Sequence, residues 1–274
     1  MDLSRALEMV SRTDPGMVRA HNEDAVAADP VHGIVVLADG MGGYNAGEVA
    51  SGMATTVITT EVANALASVS PQAPDPQTRR PHAETLLREQ ILKANTSIYQ
   101  AAQSQPQYAG MGTTLVTCLF YDDRMMVAHL GDSRLYRMRD GALTQVTRDH
   151  SLLQEQIDSG LITTEQAKTA QHRNLVTRAL GIDPSVEPEI REYRTAPGDI
   201  YLLCSDGLCD MVSDEDIGMA LEALSANLDL AAQQLVQMAN DNGGRDNVSV
   251  ILVRILREYP AARGVMARFF AWLK

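Results

Sequence analysis

Apolar positions along this 274-residue chain run together, alternate with polar ones or recur at helical spacing in well-separated stretches. Short runs at 8–13 and 25–28 and the unbroken apolar run 33–38 predict strands. From Ala46 to about Ala67 the chain is rich in Ala, Val and Thr and predicts a helix. The segment Ser70-Pro71-Gln72-Ala73-Pro74-Asp75-Pro76, with Pro81 close behind, cannot remain helical. Structure resumes on both sides, so it reads as a surface excursion. Leu86, Leu87, Ile91, Ala94, Ile98 and Ala102 then fall near helical spacing and predict a second long helix over about 83–103.

After Gly110-Met111-Gly112 the period shortens. Stretches 113–121, 124–130, 133–138 and 142–147 predict strands joined by tight turns at Asp122-Asp123 and Asp140-Gly141. Residues 151–172 are polar and helical in character, with a break at Ser159-Gly160. Strands return at about 187–194 and 199–204, helices at 214–224 and 228–241, and a last strand at 247–256. Ser213 before Asp214, Glu215 and Asp216 suits a helix start, because its hydroxyl caps free N–H groups and acids favour the positive end of the dipole. Helices come in sequential pairs between groups of strands. That disfavours a doubly wound parallel sheet and predicts an α+β fold of packed antiparallel sheets with helix pairs outside.

A hydrophobic content of 45% supports a sizeable core, and with aromatics at 4% and 13 methionines that core is mainly aliphatic. The formal charge of −12 argues against general nucleic-acid binding, which needs cations to neutralise phosphates. Cys118, Cys204 and Cys209 have no disulfide or zinc spacing. No segment has the roughly 20 apolar residues of a spanning helix, and the N-terminus shows no leader pattern. A reducing cytoplasm is the expected location.

Four aspartates stand at strand ends. Asp39 closes the run 34–38, Asp132 follows 125–131, Asp206 closes 200–205, and Asp246 precedes 247–253. Strand ends can converge on one rim, where crowded carboxylates repel unless a cation neutralises them. Oxygen donors with no His or Cys at ligand spacing suit Mg²⁺ or Mn²⁺. Gly40 removes side-chain bulk, so its carbonyl can also serve as a ligand. A single Asp-Gly pair is an ordinary turn; four such ends together carry the reading. In Arg19-Ala20-His21-Asn22-Glu23-Asp24, Arg19 could grip phosphate and Glu23 and Asp24 could hold waters around a cation, although alone this is a charged turn. Gly131-Asp132-Ser133-Arg134 and Gly243-Gly244-Arg245-Asp246-Asn247 read alone as turns with local ion pairs. His129 reads as a core residue, His150 is open between structural and substrate-proximal roles, and no histidine is assigned to metal. Neither Asp39 nor Asp206 is followed two residues on by a second Asp, which excludes the aspartyl-phosphate pattern. Asp210, Asp214 and Asp216 lack the spacing of a calcium loop.

In order, Arg19-x-x-Asn22-Glu23-Asp24, Ala38-Asp39-Gly40-Met41-Gly42-Gly43, Gly112-Thr113-Thr114, Gly131-Asp132-Ser133-Arg134, Asp149-His150, Ser205-Asp206-Gly207 and Arg245-Asp246-Asn247 resemble the bacterial metal-dependent Ser/Thr phosphatases of the protein phosphatase 2C-like family. Asn174-x-x-x-Arg178-Ala179-Leu180-Gly181 also fits, and the match runs from about Arg5 to Leu256. The resemblance implies a four-layer αββα sandwich with two core Mn²⁺ or Mg²⁺ ions. Asp39 would bridge them, the Gly40 carbonyl would ligate one, and Asp206 and Asp246 the other. A third, weaker site would use Asp132 and Asp206. Arg19 and Asp39 would be catalytic, with Glu23, Asp24 and Asn247 around the ligands and 151–172 as a mobile flap. The implied reaction is hydrolysis of phosphoserine and phosphothreonine in the protein substrates of a kinase, by direct attack of a hydroxide held between the metals. Animal members carry a histidine where this chain has Met41, so the leaving group's proton must come from elsewhere; a metal-bound water is the hypothesis. A catalytically silent phosphoprotein-binding module would have lost a core aspartate, and none is lost here. Partner-specific switch phosphatases usually add a sensor domain, for which this chain has no room.

The resemblance assigns 1–256 to a catalytic domain and leaves 257–274 as a tail. Val265, Met266, Phe269, Phe270, Trp272 and Leu273 form an apolar face if the tail is helical, with Arg263, Arg268 and Lys274 adding positive charge. Packing on the domain is the preferred reading and a membrane or partner anchor the alternative. Nothing in the sequence demands more than a monomer.

Overall fold

The computed structural model describes residues 2–43, 46–163, 166 and 175–261. Two antiparallel sheets form the centre. The first has the order β2 (Asp24–Asp29), β3 (Ile34–Met41), β5 (Leu115–Tyr121), β6 (Arg124–Leu130), β9 (Glu189–Arg194), with β4 (Gly112–Thr113) pairing to the far end of β3. The second has the order β1 (Leu7–Asp14), β11 (Val248–Ile255), β10 (Ile200–Cys204), β7 (Arg134–Arg139), β8 (Ala142–Gln145). Their inner faces share a core that includes Leu7, Val35, Leu37, Val116, Phe120, Tyr201, Leu203 and Ile251. Helices α1 (Ala46–Leu66) and α2 (His82–Ser104) pack Ile58, Leu87, Ile91 and Ile98 on the outside of the first sheet. Helices α5 (Asp214–Ala223) and α6 (Leu228–Asp241) pack Ile217, Leu221 and Leu235 on the outside of the second. The result is the expected four layers.

The nearly all-buried sequence of β5 and β6 explains their apolar runs: both faces are covered. The turns at Asp122-Asp123 (φ 47 and 56) and Asp140-Gly141 (φ 52 and 77) adopt the left-handed conformations of tight hairpins. Ser213 caps α5 by accepting from the Asp216 amide.

Three local expectations change. Asp39 does not close β3 but lies within it, because Gly40 and Met41 continue the ladder against Thr113 and Gly112. The expected strand 113–121 breaks at Thr114, where a side-chain hydroxyl takes over the bond to the Asp39 amide at 3.0 Å. Asp206 does more than end β10: it opens a one-turn helix, α4 (Asp206–Cys209).

Within 151–172, Ser151 caps helix α3 (Leu152–Asp158); the rest of that segment from 164 on, apart from 166, lies outside the described residues, as does Asn174. Packing continues beyond 256. Tyr259 joins the core between the sheets, and its hydroxyl lies 2.6 Å from that of Thr195. The amides of Tyr259 and Ala261 donate to the carboxylates of Asp123 and Asp122 at the β5–β6 turn. The remainder of the tail, 262–274, lies outside the described residues. Among the described residues, no helix is long and apolar enough to cross a membrane.

Candidate active site

At one end of the two sheets the strands and their loops surround a cavity of about 420 Å³. It brings together Arg19, Glu23, Asp39, Gly40, Asp132, Asp206, Asp246 and Asn247, all named from sequence. Met41, Gly42, Thr114, Leu175 and Val176 complete the lining. Asp24 stands behind the wall, 9% exposed. Its Oδ2 accepts from the Ser205 hydroxyl at 2.9 Å, and that hydroxyl accepts from the Ser249 amide at 3.0 Å.

Small side chains hold the carboxylates in place. The Asp39 amide donates to Thr114 Oγ1, the Thr113 hydroxyl donates to the Asp39 carbonyl at 2.9 Å, and the hydroxyls of Thr114 and Ser133 lie 2.7 Å apart. Asn247 ties the arginine loop to β11. Its Nδ2 donates to the carbonyls of Pro15 (3.0 Å) and His21 (2.9 Å), and its Oδ1 accepts from the Glu23 amide at 2.8 Å. Two glycines are required by close approach. A Cβ on Gly40 would lie 2.2 Å from the Gly47 carbonyl oxygen, and one on Gly207 would lie 2.0 Å from that of Asn247.

The charges are strained against one another. Burial, then the charges of Asp24, Asp206, Asp132 and Asp246, push the Asp39 carboxyl well above the usual carboxylate range. Asp206 moves the same way through burial and then Asp132, Asp210 and Asp246. Asp132 is pushed up to about 6, by burial first and then Asp149. Asp24 is also raised to about 6, by burial first, and its Oδ1 has no hydrogen-bond partner. Arg19 reaches across the mouth to Asp246 at 2.6 Å, and this bond raises the guanidinium's pKa. The ion pairs thus join distant segments instead of closing local turns: Arg134 likewise pairs with Asp149 at 2.7 Å.

This donor set fits hard divalent cations. Every ionisable group lining the cavity is a carboxylate except Arg19, with no His or Cys among them. A cation would relieve the repulsion that raises Asp39 and Asp206. Among the described residues, three possible donors come within 4.8 Å of one another only at His129, His150 and Glu189, so the cavity carboxylates stand wider than that. The histidine cluster is a poor cation site. Its imidazoles stack at 4.6 Å with planes 8° apart, so their in-plane lone pairs run parallel instead of converging. His129 is the buried residue expected, bonded to the Arg148 carbonyl at 2.9 Å, and His150 is structural, exchanging bonds with Gly131 beside Asp132.

The hydroxyls of Thr114, Ser133, Ser205 and Ser249 and the apolar Leu175 and Val176 carry no role in the sequence reading. Nothing in Thr, Ser or Leu side chains marks them; only their position beside the aspartates does.

The family described as Protein phosphatase 2C matches residues 18–252. The serine/threonine protein phosphatase PstP of Mycobacterium tuberculosis is 40% identical over 251 residues, which cover 91% of this chain and 45% of PstP. This chain therefore spans less than half the length of that relative. The serine/threonine phosphatase stp of Listeria welshimeri is 37% identical over 248 residues, 88% of this chain and 93% of stp. The crystal structure of the PstP catalytic domain in complex with two manganese ions aligns with a TM-score of 0.79 at 37% identity, over 91% of this chain and 98% of that one.

Proposed function

The chain belongs to the protein phosphatase 2C family, and from that premise we propose that it is a metal-dependent protein phosphatase releasing phosphate from phosphoserine and phosphothreonine in proteins. One observation carries the reading: half-buried, mutually repelling carboxylates from separate strands and their loops face one cavity whose mouth holds an arginine.

Asp39, Asp206, Asp246 and the Gly40 carbonyl would hold two core cations, and Asp132 with Asp206 a third. Bound there, the cations supply Lewis acidity, neutralising phosphate charge and acidifying water. Arg19, 52% exposed at its side chain, would receive the phosphate oxygens through two N–H groups. Its bond to Asp246 keeps that fork at the cavity mouth. Asn247 fixes the loop that carries Arg19 and Glu23. Asp24 and Glu23 add negative charge behind the ligands. Met41 offers no proton, so this chain does not protonate the leaving group from that position. We take the domain to run through Ala261, since Tyr259 is part of its core. The free thiols of Cys118, Cys204 and Cys209 suit a cytoplasmic setting, and a monomer suffices for the chemistry.

The test is phosphate release from a phosphothreonine peptide with Mn²⁺, with chelator, and with Asp206→Asn. Mn²⁺-dependent release lost in both controls supports the reading. Demonstrated Mn²⁺ binding without release from peptides or native phosphoproteins would convert it to a silent phosphoprotein-binding module.

A further inference from the structure

The cavity floor is anionic, but part of its rim is apolar. Leu175 and Val176 line it beside Arg19 and Asp246, and Leu175 is 55% exposed. Met17 and Val18, on the loop leading into Arg19, are 70% and 68% exposed.

These side chains face solvent from pinned backbone. The Leu175 carbonyl accepts from the Leu152 amide at 2.9 Å, Val176 bridges to Ser151, and the Thr177 amide donates to the His150 carbonyl at 2.8 Å. The Met17 amide donates to the Gly244 carbonyl at 2.7 Å. Gly16, at φ +77, lies so close that a Cβ would sit 2.3 Å from the Asp246 carbonyl oxygen. Ordering these segments has therefore been achieved without burying their large aliphatic side chains. A ligand that covers them gains apolar burial at little further cost in backbone entropy.

We propose that Leu175, with Val176 beside it in the cavity lining, forms a specificity subsite for an apolar side chain next to the phosphorylated residue. The inference rests on the phosphatase reading above and deepens it by naming the substrate class. A phosphopeptide whose phosphate enters beside Arg19 must lay its neighbouring residues on this rim. Leu, Ile, Val or Met there removes apolar surface from water on both partners. Glu or Asp there gains no apolar contact from Leu175 and lies near the cavity's carboxylates.

The experiment compares phosphothreonine peptides that differ only in carrying Leu, Ser or Glu on either side of the phosphoresidue, with Mn²⁺ present. Wild type is expected to show a kcat/KM about fivefold to tenfold higher for the Leu peptide than for the Ser peptide on at least one side, carried by KM, the scale of one partly buried aliphatic contact. Glu is expected below Ser. Leu175→Ser is expected to shrink the Leu-over-Ser ratio to about twofold, and Leu175→Met to restore it. Equal kcat/KM for Leu and Ser peptides in wild type overturns the subsite. So does a Leu175→Ser variant that slows every peptide by the same factor, since that is a structural effect. Absence of Mn²⁺-dependent release from every peptide and from p-nitrophenyl phosphate overturns the phosphatase reading itself, and the subsite falls with it.

Discussion

Asp24 and Asp39 face each other directly across the β2–β3 ladder. Burial is the main force raising both carboxyls, and the charge of Asp24 is the next largest on Asp39. Like charges opposite one another weaken a sheet. A cation that neutralises Asp39 should therefore stabilise the whole fold. At about 100 times its Kd, Mn²⁺ should add about 2.7 kcal/mol, a rise in Tm of roughly 5–10 °C for a domain of this size. Scanning calorimetry with Mn²⁺ and with chelator measures it; identical Tm values would remove the cation site.

In chelator, stability should fall as pH rises through the acid range. Asp24 and Asp132 titrate at about 6 in the fold against 3.8 for an unperturbed aspartate. Between those values the folded chain binds more protons than the unfolded one, so the free energy of unfolding declines with pH. The stabilisation is complete below about 4 and gone above about 6 or 7, a loss of a few kcal/mol. Urea midpoints at pH 4.5, 5.5 and 7 should descend in chelator. Saturating Mn²⁺ should flatten or reverse the trend, because ligands must be deprotonated to bind it.

Asp39→Asn separates stability from activity. It removes one charge from the repelling set, so its Tm in chelator should equal or exceed that of wild type. Phosphatase activity should fall by roughly 10³ or more, as expected when charge stabilisation in the transition state is removed. The Mn²⁺-induced rise in Tm should shrink with it. Appreciable turnover in this variant would sink the assignment of Asp39.

Thr114→Val should disturb the site without touching a charge. It strands the half-buried Asp39 amide and takes away the partner of the Ser133 hydroxyl. The cost should be about 1–3 kcal/mol, with kcat falling more than KM rises because Asp39 loses its anchor. Thr114→Ser keeps the hydroxyl and should stay near wild type in both. Chemical denaturation and steady-state kinetics on the two variants decide it.

Asp149→Ala should be among the costliest single changes away from the cavity lining. Arg134 makes a forked contact with both Asp149 oxygens and also donates to the Tyr136 hydroxyl. Removing Asp149 leaves a largely buried guanidinium without its counter-charge, a loss of about 3–5 kcal/mol. Replacing both residues with a matched apolar pair should cost much less, and denaturation midpoints of the two variants compare them.

Periodicity carried most of the architecture. Helical spacing of Leu86, Leu87, Ile91, Ala94 and Ile98 matched α2 closely, since one face of that helix meets a sheet. What the pattern could not show was how strand ends behave at the site. Asp39 sits inside β3 because Gly40 and Met41 still find ladder partners in Thr113 and Gly112, far along the chain, which no local signal announces. The one-turn helix at Asp206 is too short to have a period. The aspartates were legible because carboxylates after apolar runs need a physical reason. Thr114 and Ser133 stood in the family motifs without a role, and Ser249 in none, since a hydroxyl's worth depends on what faces it. Arg19 was placed near the rim by its neighbours, but its bond to Asp246 joins opposite ends of the sequence.

The clasp of Tyr259 and Ala261 on Asp123 and Asp122 fixes a direction as well as a chain end. Asp122 and Asp123 precede β6 and Asp132 follows it, so the full strand, roughly 20–25 Å, separates the clasp from the cavity. The backbone leaves Ala261 at the far pole from the catalytic mouth. A fluorescent reporter attached at Ala261 itself would thus sit on the opposite side of the molecule from the cavity, clear of anything that enters it.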